Sequence, residues 1–197
     1  MLRIISGRFR QKRLYLPDEK ITRPTTDRVR ESVFNILLHQ YNIHFDQITV
    51  LDAFAGSGAM GLESLSRGAK HVYFAEHNAK VQIVLQKNIN LIAAENQTTL
   101  FKIDTLNLGK APDAVDLIFL DPPYSSDIIE RVCVHLYKQN WIKEKTLICI
   151  ESHSKKIPAL IPSLKKQEQR IYGQSGISFW NFDQDQKAAS QATMQQN

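Results

Sequence analysis

Apolar positions along this chain follow two different periods, and the switches between them outline a fold. From Val29 to about Tyr41, Val29, Val33, Ile36 and Leu37 recur at helical spacing with Phe34 alongside, behind Thr25-Thr26-Asp27, which can cap a helix start. From residue 48 short apolar runs alternate with helical stretches. Strands are predicted over Ile48–Phe54, His71–Glu76, Thr98–Ile103, Val115–Leu120 and Thr146–Glu151. Helices are predicted over Met60–Arg67, Ala79–Ala94 and Asp127–Lys138. Gln169–Tyr172 and Gly176–Phe182 flank Gly173-Gln174-Ser175-Gly176 as a closing hairpin. Such alternation implies an open parallel sheet covered on both faces, with the hairpin adding an antiparallel edge. Ahead of it, Leu2–Ile5 and Arg13–Leu16 can pair around Gly7. The expected organisation is a basic appendage over 1–24, one α/β domain over 25–184, and a Gln-, Ala- and Ser-rich tail over 185–197 predicted to be disordered.

Composition narrows the class. Hydrophobic residues make up 43% of 197, enough for one buried core. No run approaches the roughly 20 apolar residues needed to cross a bilayer, and charge is scattered through the first residues, so neither membrane span nor signal peptide is expected. Two cysteines, Cys133 and Cys149, with no secretion signal, suggest a cytoplasmic protein with reduced buried thiols, and six scattered histidines suggest no metal site; a monomer is expected, though the sequence does not fix the oligomeric state. The formal charge is +5. Residues 1–31 hold nine basic and four acidic side chains, so the whole excess sits at one end. A polyanionic partner explains that distribution; a merely solvated basic terminus explains it equally well.

Two motifs carry candidate chemistry. Asp52-Ala53-Phe54-Ala55-Gly56-Ser57-Gly58-Ala59-Met60-Gly61 follows the first strand and opens a helix. Glycines let backbone approach a ligand at the carboxyl ends of parallel strands. Glu76 falls at the end of the next strand, where a carboxylate can take both ribose hydroxyls of a nucleotide. The loop also satisfies the dinucleotide pattern, whose helix N-terminus holds a pyrophosphate. Asp52, four residues ahead of Gly56, instead suits the amino-acid end and sulfonium of S-adenosylmethionine. Asp104, after the third strand, can take the adenine amino group, with Ile103 against the ring. The competing reading of the loop is helix–strand packing, and of Asp104 a turn residue.

Asp121-Pro122-Pro123-Tyr124 follows the fourth strand. Two prolines end the strand and offer acceptors without donors. An exocyclic base amine has two N–H donors and a delocalised lone pair. A carboxylate at Asp121 and the Pro122 carbonyl can accept both N–H groups and free the lone pair for in-line attack on a methyl sulfonium, while Tyr124 stacks on a flipped base. The competing reading is a capped proline turn.

Asp52-Ala-Phe-Ala-Gly-Ser-Gly-Ala-Met-Gly-Leu-Glu-Ser-Leu-Ser-Arg-Gly-Ala69, Phe119-Leu-Asp-Pro-Pro-Tyr124 and Arg23-Pro-Thr-Thr-Asp-Arg-Val-Arg-Glu-Ser-Val-Phe-Asn-Ile-Leu37 together resemble the RsmD family, bacterial small-subunit rRNA guanine-N2 methyltransferases. The resemblance runs from about Arg3 to Phe182. The Arg23–Leu37 stretch discriminates, because Asp-Pro-Pro-Tyr also occurs in adenine-N6 and cytosine-N4 enzymes. It implies a class I S-adenosylmethionine-dependent methyltransferase, Rossmann-like, with a seven-stranded mostly parallel sheet and a small N-terminal hairpin that engages RNA. It implies S-adenosyl-L-methionine bound at Asp52, Phe54, Gly56, Ser57, Gly58, Glu76 and Asp104, and an amine held by Asp121, Pro122, Pro123 and Tyr124. Arg3, Arg8, Arg10, Arg23, Thr25, Arg28 and Arg30 become candidate contacts to 16S rRNA, in the 30S subunit or an assembly intermediate. Open alternatives are an adenine-N6 or cytosine-N4 enzyme, an NAD-dependent oxidoreductase and a non-catalytic RNA-binding assembly protein.

Overall fold

A computed structural model describes residues 2–17, 26–122, 126–158 and 164–182. Seven strands form one sheet in the order β3-β2-β1-β4-β5-β7-β6. They are β1 Thr49–Asp52, β2 His71–Ala75, β3 Thr98–Phe101, β4 Val115–Leu120, β5 Ile142–His153, β6 Leu164–Tyr172 and β7 Ser175–Phe182. The first five run parallel, and β7 pairs antiparallel with both β5 and β6. Four helices accompany them: α1 Asp27–His39, α2 Ala59–Ser66, α3 Ala79–Leu91 and α4 Ser126–Lys138. The predicted α/β architecture is therefore present, with β5 and β6 reaching beyond the apolar stretches that announced them.

The strands read as apolar runs because both sheet faces are covered. In β4, Leu117 and Phe119 join the core beneath α1, α2 and α3, while Ile118 and Leu120 join the core that holds Ile129, Val132 and Leu136 of α4. Val50 and Leu51 of β1 divide the same way, as do Cys149 and Ile150 of β5. Each fully buried side chain of this kind contributes about 1.5–3 kcal/mol through removal from water. Both cysteines are buried and free. No helix among the described residues is long and apolar enough to cross a membrane.

The N-terminal hairpin is less regular than expected and less separate. Arg3 and Arg13 form one isolated antiparallel bridge, flanked by main-chain bonds between Ile4 and Lys12, Gln11 and Ile4, and Leu14 and Leu2. Leu2, Ile4 and Leu14 are buried in the core shared with α1 and α2. The segment is thus part of the domain rather than a free appendage. Residues 18–25, with Arg23 and Thr25, and the predicted tail over 185–197 lie outside the described residues.

Candidate active site

Parallel strands present their carboxyl ends along one edge, and here each of the five ends in or is soon followed by an acid. In sheet order these are Asp104 after β3, Glu76 after β2, Asp52 in β1, Asp121 after β4 and Glu151 in β5. Glu151, the last residue of the fifth predicted strand, was not singled out from sequence because no glycine or proline motif follows it.

The glycine loop between β1 and α2 is held from both sides. Gly58 caps α2 with φ +80°, and a Cβ there would lie 2.3 Å from Leu85 Cδ1. It therefore has no side chain to cap the helix. Asp52 does so through space: its Oδ2 accepts from the Gly61 N–H at 3.0 Å, the third residue of the helix. A Cβ on Gly61 would strike the Phe74 ring at 2.3 Å. Gly58 and Gly61 thus serve packing. Gly56 differs: φ is +54° and an added Cβ would meet nothing nearer than the Phe54 carbonyl oxygen, at 4.0 Å. Its N–H donates to Glu76 Oε2 at 3.0 Å, while Glu76 Oε1 accepts from Asn78 N–H at 2.8 Å. Phe54 and Ser57 are half-buried beside it.

Burial pushes the Asp52 carboxyl up to about 7; the Gly61 bond opposes this and the Glu76 charge adds to it. Asp121 is exposed at the edge while Pro122 is half-buried. Desolvation by the surrounding chain, then the charges of Glu151 and Asp52, hold the Asp121 carboxyl well above the usual carboxylate range. Its exposed face keeps contact with solvent, which moderates the shift. Pro123 and Tyr124 lie outside the described residues. Asp104 is half-buried and caps a short 3-10 turn, Thr105–Asn107, by accepting from Leu106 N–H at 2.8 Å. The next residue, Thr105, is buried and donates to the Ala53 carbonyl, tying this turn to the end of β1. Ile103 is exposed.

These residues fit a nucleoside with a cationic tail. One glycine is uncrowded at its Cβ position, the Glu76 oxygens retain acceptor capacity beyond one N–H each, and the edge is lined by carboxylates that favour a positive charge. A pyrophosphate fits poorly among the same acids.

Comparison with known proteins agrees. A family model described as Conserved hypothetical protein 95 matches residues 2–181. Ribosomal RNA small subunit methyltransferase D of Haemophilus influenzae is 36% identical over 165 residues, covering 82% of this chain and 83% of that protein. The chain belongs to the RsmD family. The Escherichia coli family member is 33% identical over 174 residues, covering 88% of this chain and 86% of its own length. The solved structure of yhhF from Escherichia coli superposes with TM-score 0.79 at 29% identity, covering 92% of this chain and 98% of that one. Magnesium protoporphyrin IX methyltransferase of Synechocystis, solved with bound SAM, shares the fold at TM-score 0.62 and 16% identity, covering 82% of this chain and 87% of that one. The class I methyltransferase fold of the family is thus present here.

The basic candidates separate by environment. Arg8, Arg10 and Arg28 are exposed. Arg8 lies over the Phe9 ring and bonds Gln97. Arg3 is exposed, with Nε 3.2 Å from Asp27 and Nη1 donating to Gln11 at 3.0 Å. Arg30 is a correction. It is fully buried, and its Nη2 donates to the Arg3 carbonyl and, at 2.9 Å, to Asp27. Desolvation lowers its pKa, with Asp27 opposing. It has no surface to offer RNA and instead ties α1 to the hairpin.

Three buried polar residues that bind the N-terminal hairpin were not anticipated. Glu63 accepts from the N–H groups of Ile5 at 2.6 Å and Ser6 at 3.0 Å and from Arg67 at 2.8 Å. Ser66 accepts from Phe9 N–H and donates to the Ser6 carbonyl. Asn88 bonds Tyr15 and Ser57. Asn88 was detectable as a polar residue on the apolar stripe of Val81, Leu85 and Ile89; α2 is buried from Gly61 to Ser66 and gave no such contrast.

Proposed function

We propose that this chain transfers the methyl group of S-adenosyl-L-methionine to the exocyclic N2 of a guanine in 16S rRNA, within the 30S subunit or an assembly intermediate. The observation that carries the reading is the position of Asp121. It stands open at the carboxyl end of β4, beside the end of β1 and its glycine loop. An acceptor fixed there, with Pro122 unable to donate, suits a group that brings only N–H donors.

When bound, S-adenosylmethionine supplies an electrophilic methyl on a sulfonium. Glu76 would take the ribose hydroxyls, the Gly56 turn would pass close to the nucleoside, and Asp52 and its neighbours would favour the cationic tail. Asp121 and the Pro122 carbonyl would accept the two amine N–H bonds, drawing the nitrogen toward tetrahedral geometry and orienting its lone pair. The Asp121 charge stabilises the positive charge that develops on nitrogen. Tyr124 would stack on the flipped guanine. Exposed Arg3, Arg8, Arg10 and Arg28, with Arg23 and Thr25, would meet phosphates, contacts that position RNA without reading sequence.

The test is tritiated methyl transfer into 30S subunits lacking the mark, followed by digestion and mass analysis of the modified nucleoside. N2-methylguanosine is expected. N6-methyladenosine or N4-methylcytidine would move the target to the other amines that this motif serves. No incorporation into any RNA would overturn the proposal.

A further inference from the structure

Asn88 sits on the inward face of α3 next to Leu85 and Ile89, where the helical stripe calls for an apolar side chain, and it is fully buried. Its amide reaches in two directions. Oδ1 accepts from the Tyr15 N–H at 2.8 Å. Nδ2 donates to the Tyr15 carbonyl at 3.0 Å and to the Ser57 carbonyl at 2.8 Å. The orientation is fixed by its partners, since the oxygen faces a donor and the nitrogen faces two acceptors. Ser57 lies between Gly56 and Gly58 at the tip of the glycine loop. Tyr15 lies near the end of the described hairpin. One planar group therefore joins the two segments, and neither can shift without straining a bond to the other. Glu63 and Ser66 also hold the hairpin, but from the body and far end of α2. Asn88 alone among these three contacts the loop itself.

We propose that Asn88 is a positioning residue that couples the N-terminal hairpin to the cofactor loop. Occupancy of the loop is transmitted to the hairpin, and a polyanion seated on the hairpin alters the loop's affinity by the same factor. The inference rests on the reading of Gly56–Gly58 as the S-adenosylmethionine site. It goes beyond that reading by assigning the two binding regions a shared positioning residue outside both.

Amide hydrogen exchange on the full chain, with and without S-adenosylmethionine and with no RNA, tests it. Cofactor should slow exchange over residues 54–61 and also at the Tyr15 and Leu14 amides, by about fivefold or more. In Asn88→Ala the loop should still respond while the response is lost at Tyr15 and also at Leu14, whose N–H donates to the Leu2 carbonyl and not to Asn88; Asn88→Ser provides the same comparison with a smaller packing defect. Protection confined to 54–61 in the unmodified chain overturns the coupling and leaves the cofactor site standing. Protection at neither place removes both. A response at Tyr15 that survives in either variant overturns the role of Asn88. Because the first comparison uses the unmodified chain, a variant that fails to fold does not rescue the proposal.

Discussion

Asp52 and Asp121 stand at the carboxyl ends of neighbouring strands, and desolvation raises both carboxyls, yet they differ in exposure and in what holds them. Asp52 is buried, capped onto the Gly61 N–H and shielded by α2. Asp121 is open to solvent with a proline after it. The difference comes from the residues immediately downstream of each. After Asp52 a glycine loop turns into a helix whose free N–H groups need an acceptor. After Asp121, Pro122 and Pro123 contribute no N–H, and among the described residues no hydrogen bond holds the carboxylate. An acid so placed is the one we propose for the substrate amine.

The largest effect on turnover should therefore fall on Asp121. Asp121→Ala should lower turnover by about 10²–10³-fold while S-adenosylmethionine affinity, measured by titration calorimetry, changes little. The pH profile should carry the same signature. In the proposed mechanism the ionised carboxylate accepts the amine N–H, and desolvation with Glu151 and Asp52 raises the Asp121 pKa. Turnover should then fall as pH drops through that raised value, higher than an ordinary aspartate would give. Near-normal turnover in Asp121→Ala would erase the distinction between the two aspartates.

Glu63 sharpens the buried side of the comparison. It is fully buried and holds two hairpin N–H groups and Arg67. Glu63→Ala leaves those donors and a cation without their acceptor, which should cost about 3–5 kcal/mol in urea unfolding. A loss below about 1 kcal/mol would mean that solvent reaches the pair.

Asp52 should show a smaller effect with a distinctive pH dependence. Its carboxyl titrates near 3.8 when unfolded and at about 7 when folded. Between those values the folded protein holds a proton that the unfolded chain releases, so stability declines as pH rises from about 4 to about 7 and then levels. Asn at this position keeps an acceptor for Gly61 and never ionises. Asp52→Asn should remove this decline, which is on the order of 2–4 kcal/mol, leaving the variant more stable than the parent at pH 8. Parallel pH profiles in the two proteins would show that Asp52 is not buried as an acid.

The same contrast explains what could be read beforehand. The sheet and its helices were legible because strands covered on both faces are apolar throughout, and because α1 and α3 carry capped periodic stripes. The edge of the candidate site was legible because glycine permits, and proline imposes, particular backbone geometry locally, whatever packs around them. Which acids were structural was not. Capping of Gly61 by Asp52 depends on a contact across nine residues, and the Glu63 and Asn88 bonds span 57 or more positions to the hairpin. Charge likewise marked the basic N-terminus but did not distinguish Arg10 from Arg30, whose burial is decided by the packing of α1 on the hairpin.

That last pair yields the smallest expected effect and tests the comparison outside the acids. Arg10 is exposed, whereas Arg30 is fully buried and bonded to Arg3 and Asp27. If Arg10 meets an RNA phosphate, Arg10→Ala should weaken RNA binding only a few-fold and leave the melting temperature unchanged. It should also reduce the slope of log Kd against log salt by roughly 0.7–0.9, the release of one counterion. Arg30→Ala should do the reverse, lowering the melting temperature while the salt slope of the folded fraction stays the same. An unchanged slope in Arg10→Ala would place that guanidinium off the RNA path. A changed slope in Arg30→Ala would mean that burial, the criterion separating Asp52 from Asp121, does not predict which charged groups reach the ligand.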